Sequence, residues 1–224
     1  TYDDAQGWPV RTGWSMSLNR GSSAGSAMMS SAWCFGMEEA TTVPGTIRGS
    51  PGTVNGSCAV SSEPGPVEGE LVITELLINA EGDDEGKEWI ELLNVSGKTL
   101  RLHDLVLRVG GDEHRVFMPQ LTVAADGHAV FLARPTSEAP TPEFDVSHHY
   151  GDDLGLPNDA GTLEVLFNGN LIDSVPWDDT GMWPVRAGVS MSLHAPAQTH
   201  LENDQALAWC YAVDRITGAE TLGT

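Results

Sequence analysis

The chain has 224 residues, room for one large or two small domains, and its 32 acidic residues against 11 basic ones leave a formal net charge of −21. So acidic a chain is repelled by phosphate backbones and anionic lipid surfaces, which excludes nucleic-acid binding, and no apolar run approaches the roughly 18 residues of a membrane span, which excludes insertion as a helix. A hydrophobic fraction of 40% with 25 glycines and 13 prolines points instead to a turn-rich β protein with a real core.

In chain order, the first signal is a repeat. Residues 2–18 read YDDAQGWPVRTGWSMSL and residues 177–193 read WDDTGMWPVRAGVSMSL, an offset of 175. Asp3, Asp4, Trp8, Pro9, Val10, Arg11 and Met16 return as Asp178, Asp179, Trp183, Pro184, Val185, Arg186 and Met191. AWCF at 32–35 matches AWCY at 208–211 with an offset of 176, the one-residue difference that a loop insertion gives. The repeat divides the chain. Residues 1–58 read as the C-terminal part of a first unit, with a flexible Gly-Ser loop over 21–31. Residues 59–69 (AVSSEPGPVEG) read as a polar linker, and 70–224 as a second unit that stops short of its own last turn. Thr1 opens inside the pattern, as a segment of something longer would.

The second unit reads as short strands. Segment 71–78 (LVITELLI) alternates with Val72, Thr74, Leu76 and Ile78 on one face, and 87–94 (KEWIELLN) sets Ile90 and Leu92 against Trp89, Glu91 and Leu93. Further strands are expected at 99–109, 114–118, 128–134, 162–167, 170–176 and 189–193. Turns separate them at Ser96-Gly97, Gly110-Gly111, Asp126-Gly127, 158–161 and Asn168-Gly169, the last a hairpin signal. No long helical periodicity is present, so the expected class is all-β, with two packed sheets.

Four stretches, in order, resemble the lamin tail domain of the bacterial type. ITELLIN leads into EWIELLN, similar to the family's E-W-I-E-L-x-N core; then come GKTLRLHDLVL, AADGHAVFL and the hairpin DLGLPNDAGTLEVLFNGNLIDSVPW. The likeness covers about 70–193 and, through the repeat, 1–58. Two departures stand out: Asp104-Leu105 where the family often has Gly-Trp, and Pro157 ahead of Asn158. The resemblance implies an immunoglobulin-like β-sandwich and a noncatalytic binding or scaffold module of large secreted or cell-surface proteins. It names no ligand, since fold does not give function. Partners are then protein or polysaccharide at the cell exterior.

Several groups carry a chemical reading beside a structural one. Glu75, Glu88, Glu91 and Asn94 sit on paired strands, either as a carboxylate pair for catalysis or metal, or as strand-edge residues binding a turn that Asn94 fixes. Asp83 and Asp84 in EGDDE, with the repeated Asp178 and Asp179, are calcium candidates, or solvated turns lacking the ligand spacing of a helix-loop-helix calcium site. His148, His149, Asp152 and Asp153 resemble a metal cluster in composition, but adjacent histidines on a strand point oppositely, so a solvated loop is the expectation. Trp8, Trp183, Trp33 and Trp209 read either as a sugar platform or as anchors of the core. No nucleophile elbow or phosphate-binding glycine pattern occurs. The expectation is a non-enzyme without a cofactor, calcium apart, with a metal-dependent hydrolase and a carbohydrate-binding module as alternatives.

Three cysteines remain. The repeat pairs Cys34 with Cys58 as a disulfide inside the first unit and expects the partner of Cys210 past Thr224; three free thiols, or a Cys58–Cys210 bond, are the alternatives. A disulfide argues for an oxidising compartment.

Overall fold

A computed structural model describes residues 15–19, 26–29, 32–36, 55, 58–82, 86–133, 145–194 and 198–213. The chain divides into two compact units, residues 1–61 with 117–120, and residues 62–116 with 121–224. The division falls inside the stretch 59–69. Its later part is tied into the second unit: Arg101 N–H donates to Pro64 O, Gly69 N–H to Ile172 O, and Pro66 is buried. Gly65 runs so close to the Phe167 ring that a Cβ there would lie 2.2 Å from it.

In the first unit, β1 (Met16–Leu18) and β2 (Trp33–Phe35) form an antiparallel hairpin with Met16 opposite Phe35, Ser17 opposite Cys34 and Leu18 opposite Trp33. Within the stretch 21–31, Ser26–Met28 form a 3-10 turn where a flexible loop is expected. Phe35 packs on Phe117 with ring centroids 5.3 Å apart.

The second unit is all-β. One sheet has six strands. Its middle is β3 (Leu71–Leu77) and β4 (Trp89–Asn94); on one side follow β9 (His128–Leu132) and β10 (His148–His149), on the other β13 (Met191–Leu193) and β14 (Trp209–Tyr211). The second sheet runs β12 (Asn170–Asp178), β11 (Ala160–Phe167), β6 (Leu105–Val109), β7 (Asp112–Arg115). A small antiparallel pair, β5 (Leu100–Arg101) and β8 (Thr122–Val123), forms a sheet of its own. The arrangement is sandwich-like, with Leu71, Ile73, Leu76, Ile90, Leu92, Leu107, Phe131, Leu163 and Val175 excluded from solvent.

The turn chemistry works as its residues dictate. Phe167 pairs with Asn170, so Asn168 and Gly169 alone make the β11–β12 turn, both at positive φ (50° and 79°), the mirror-image turn that matches strand twist. Gly110-Gly111 connects β6 to β7 in the same two-residue way.

Three strand expectations need correction. The 99–109 strand is two, β5 and β6, because Asp104 turns the chain at φ 72°. The expected 114–118 strand lies earlier, at 112–115. In β3, Val72, Thr74, Leu76 and Ile78 do not share one face, though all four are buried. Ile73 pairs with Leu92 and Leu76 with Ile90, so Thr74 is the extra residue of a bulge and the alternation changes phase there. Leu71, Ile73 and Leu76 share one face.

Candidate functional site

β13 reaches only Glu75 and Leu76 along β3. Ile73 pairs with Leu92 on its β4 side, and on its β13 side two side chains take up its backbone groups. Asp173, on β12, accepts the Ile73 N–H at 2.7 Å, while Asn203 donates Nδ2 to Ile73 O at 3.3 Å and to Asp173 Oδ2 at 2.7 Å. Asn203 O in turn accepts the Trp209 indole at 2.7 Å. Asp173 and Asn203 are buried, so these bonds are strong and their loss costly. Burial pushes the Asp173 carboxyl up to about 7, against the bonds from Ile73, Asn203 and Ser174 that hold it down.

On the same six-stranded sheet Glu75 lies directly opposite Glu91. Each has a hydroxyl donor: Ser190 Oγ to Glu75 at 2.5 Å and Thr74 Oγ1 to Glu91 at 2.7 Å, with His128 Nδ1 3.0 Å from Glu91. Glu88 instead accepts the Leu156 N–H at 3.1 and 3.2 Å, and its carbonyl accepts the Tyr150 hydroxyl. Asn94 fixes its turn: Nδ2 donates to Lys98 O, Val123 O and Ala124 O, while Oδ1 accepts from Ser96 N and Oγ. The pairing of Glu75 with Glu91 is thus real, but Glu88 and Asn94 hold loops and turns.

The histidine expectation needs correction. His148 is not in a solvated loop. It sits on β10, parallel to β9, and is 1% exposed. Its Nε2 lies 2.9 Å from Nε2 of fully buried His114 on β7, whose Nδ1 is 2.9 Å from Asp153 Oδ2. With Asp153 ionised, His114 donates from Nδ1 and accepts at Nε2, so His148 donates from Nε2. β7 and β10 are edges of different sheets, and this bond clasps them. His149 follows His148 on β10, where neighbouring side chains point to opposite faces. His114 escaped the sequence reading. Its signal was the two-residue alternation with Val116, also fully buried.

Asp178 accepts from Thr180 N at 2.9 Å and from the Thr180 hydroxyl, and Asp179 N–H donates to Asp159 O. Asp83, Asp84, Asp3, Asp4 and Trp8 lie outside the described residues. Among the described residues no group of three or more His, Cys, Asp or Glu side chains converges as a metal ion requires. Trp183 and Trp209 pack on each other at 6.4 Å and are buried, which serves the core rather than a sugar face.

The two hairpins that carry the repeated residues coincide in detail. In β13–β14, Met191 faces Tyr211, Ser192 faces Cys210 and Leu193 faces Trp209, the register of β1–β2. The closing bonds correspond: Asn19 N to Ala32 O and His194 N to Ala208 O, both 2.8 Å; Gly36 N to Ser15 O and Ala212 N to Ser190 O. Trp33 Nε1 donates to Ala27 O at 2.9 Å, as Trp209 does to Asn203 O, each six residues back. The chemistry at the paired cysteines differs. Cys34 is bonded to Cys58 with the Cα atoms 5.6 Å apart, and the Cys58 disulfide sulfur lies 3.8 Å from Ser17 O. Asn55 Nδ2 donates to Leu18 O and Cys58 N to Asn19 Oδ1, both at 3.4 Å. Cys210 is a free, exposed thiol.

Compared with models of protein families and with curated proteins, the chain matches none.

Proposed function

We propose that this chain is a noncatalytic binding or scaffold module of the lamin tail type, with an immunoglobulin-like sandwich, strung in tandem within a larger secreted or cell-surface protein. The observation that carries the reading is the coincidence of the two hairpins in register and in hydrogen bonds across the sequence repeat. A chain that holds the same closing hairpin twice is organised as an array, and arrays space or present surfaces. The Cys34–Cys58 disulfide supports a location outside the reducing cytosol. No helix among the described residues is long and apolar enough to cross a membrane. Asp104, where the resembled family often has glycine, holds φ 72°, a left-handed conformation that aspartate tolerates, so that departure is compatible with the same turn. A charge of −21 favours protein or polysaccharide partners over nucleic acid.

The test sets binding against turnover. The chain, exported with its disulfide formed, is assayed for binding to surface proteins and extracellular polysaccharides, and for hydrolysis of ester, phosphodiester, glycoside and peptide substrates with and without divalent cations. Binding that Glu75→Gln and Glu91→Gln leave unchanged, without turnover, is the expected result. Turnover that either substitution abolishes overturns the reading.

A further inference from the structure

We propose that Cys210 is a disulfide-exchange site that accepts a peptide segment of the type Asn-x-x-Cys, as Cys34 accepts Cys58. The proposal rests on the matching of the two hairpins and not on the scaffold reading. Cys34 and Cys210 hold the same register position, opposite Ser17 and Ser192. At the first hairpin that position is occupied: Cys58 is bonded to Cys34, its sulfur 3.8 Å from Ser17 O. At the second, the Cys210 thiol itself turns to the equivalent carbonyl, Ser192 O, at 3.5 Å. The thiol thus stands beside the carbonyl that the partner sulfur faces in the oxidised hairpin.

The rest of the receptor is repeated in part. Asn55 anchors its segment on Leu18 O, and the second hairpin offers Leu193 O in the same place. Cys58 N–H is received by Asn19, whose counterpart is His194. One of the two backbone-side anchors is therefore retained and one is altered. β14 ends the six-stranded sheet in strand order, and Cys210 on it is exposed, so an incoming segment has access. The ligand class is a cysteine peptide with asparagine three positions ahead of the cysteine, and the sequence Asn55-Gly56-Ser57-Cys58 supplies the template.

The step is a thiol–disulfide exchange and needs no external oxidant beyond the mixed disulfide it starts from. With Cys210 carried as its glutathione disulfide, the peptide thiolate attacks the Cys210 sulfur. The new S–S bond forms as the bond to glutathione breaks. Glutathione leaves as thiolate and takes up the proton the peptide lost.

The experiment uses the full chain with Cys34–Cys58 intact and Cys210 glutathionylated. Reduced synthetic peptide 50–60 (SPGTVNGSCAV) and a scrambled peptide of the same composition are equilibrated with it, and intact mass gives each exchange constant. Peptide mapping checks that Cys34–Cys58 survives. The native peptide is expected to displace glutathione at least tenfold more favourably than the scrambled one. Replacing its asparagine by alanine should bring it back toward the scrambled value, and His194→Asn in the chain should raise the preference further. Equal exchange constants for native and scrambled peptides, with the fold intact by circular dichroism, overturn the proposal while leaving the scaffold reading untouched.

Discussion

Asp173 joins three elements through one carboxylate, and its environment sets the sign of a pH effect. Its folded-state value is raised from the ordinary carboxylate range to about 7 by burial. The folded state therefore binds the proton more tightly than the unfolded chain. Its contribution is fully present below about pH 4 and is lost as pH rises through about 7. Urea unfolding of the wild type and Asp173→Asn across pH 4–8 should show the wild type losing stability relative to the variant over that window; a pH-independent difference would refute the assignment. The His114–His148 bond is a second residue-scale target. His148→Ala leaves a buried ring nitrogen without its donor and a void behind it, expected to cost about 2–4 kcal/mol. His148→Gln keeps a donor and should cost less. Chemical denaturation of the two variants decides this, and equal losses would mean that the ring bond contributes nothing.

Local turns and strand ladders carry the next scale. The β11–β12 hairpin depends on Asn168 and Gly169 both holding positive φ. Gly169→Val places a β-branched side chain in that conformation and should destabilise the unit by about 1–2 kcal/mol, whereas Asn168→Gly should be close to neutral; thermal melts of both are the check. This turn was legible because two residues encode it chemically. The strands β3, β4, β6, β9, β11 and β12 were legible because their apolar residues alternate or run together. What stayed hidden needs tertiary partners. The bulge at Thr74 appears in the sequence as one more β-branched residue, and only the pairing of Ile73 with Leu92 reveals its phase change. β10 is two residues long and is held by a parallel neighbour, so nothing local specifies it. The clasp joins His114 to His148 across 34 residues of sequence. Asp173 and Asn203 stand in for a missing strand on Ile73, a role set by where β13 ends.

At the scale of the whole molecule, charge and covalent connection act together. A surface this acidic keeps neighbouring copies apart, so associations of the chain are left to specific contacts such as strand edges and thiols. The Cys34–Cys58 bond closes a segment with a sequence separation of 24. If the chain is one link of an array anchored at both ends, that bond has a mechanical meaning. Tension passing along the backbone crosses from Cys34 to Cys58 through sulfur and bypasses the loop between them. At about 3.5 Å per residue, roughly 80 Å of contour length is withheld from extension. Pulling on the chain in a force spectrometer should therefore release about 80 Å more length after reduction than before it, and equal contour lengths would show that the bond carries no load. The disulfide would then work as a redox-set length limiter, deciding how far such an array can stretch before its first link gives way.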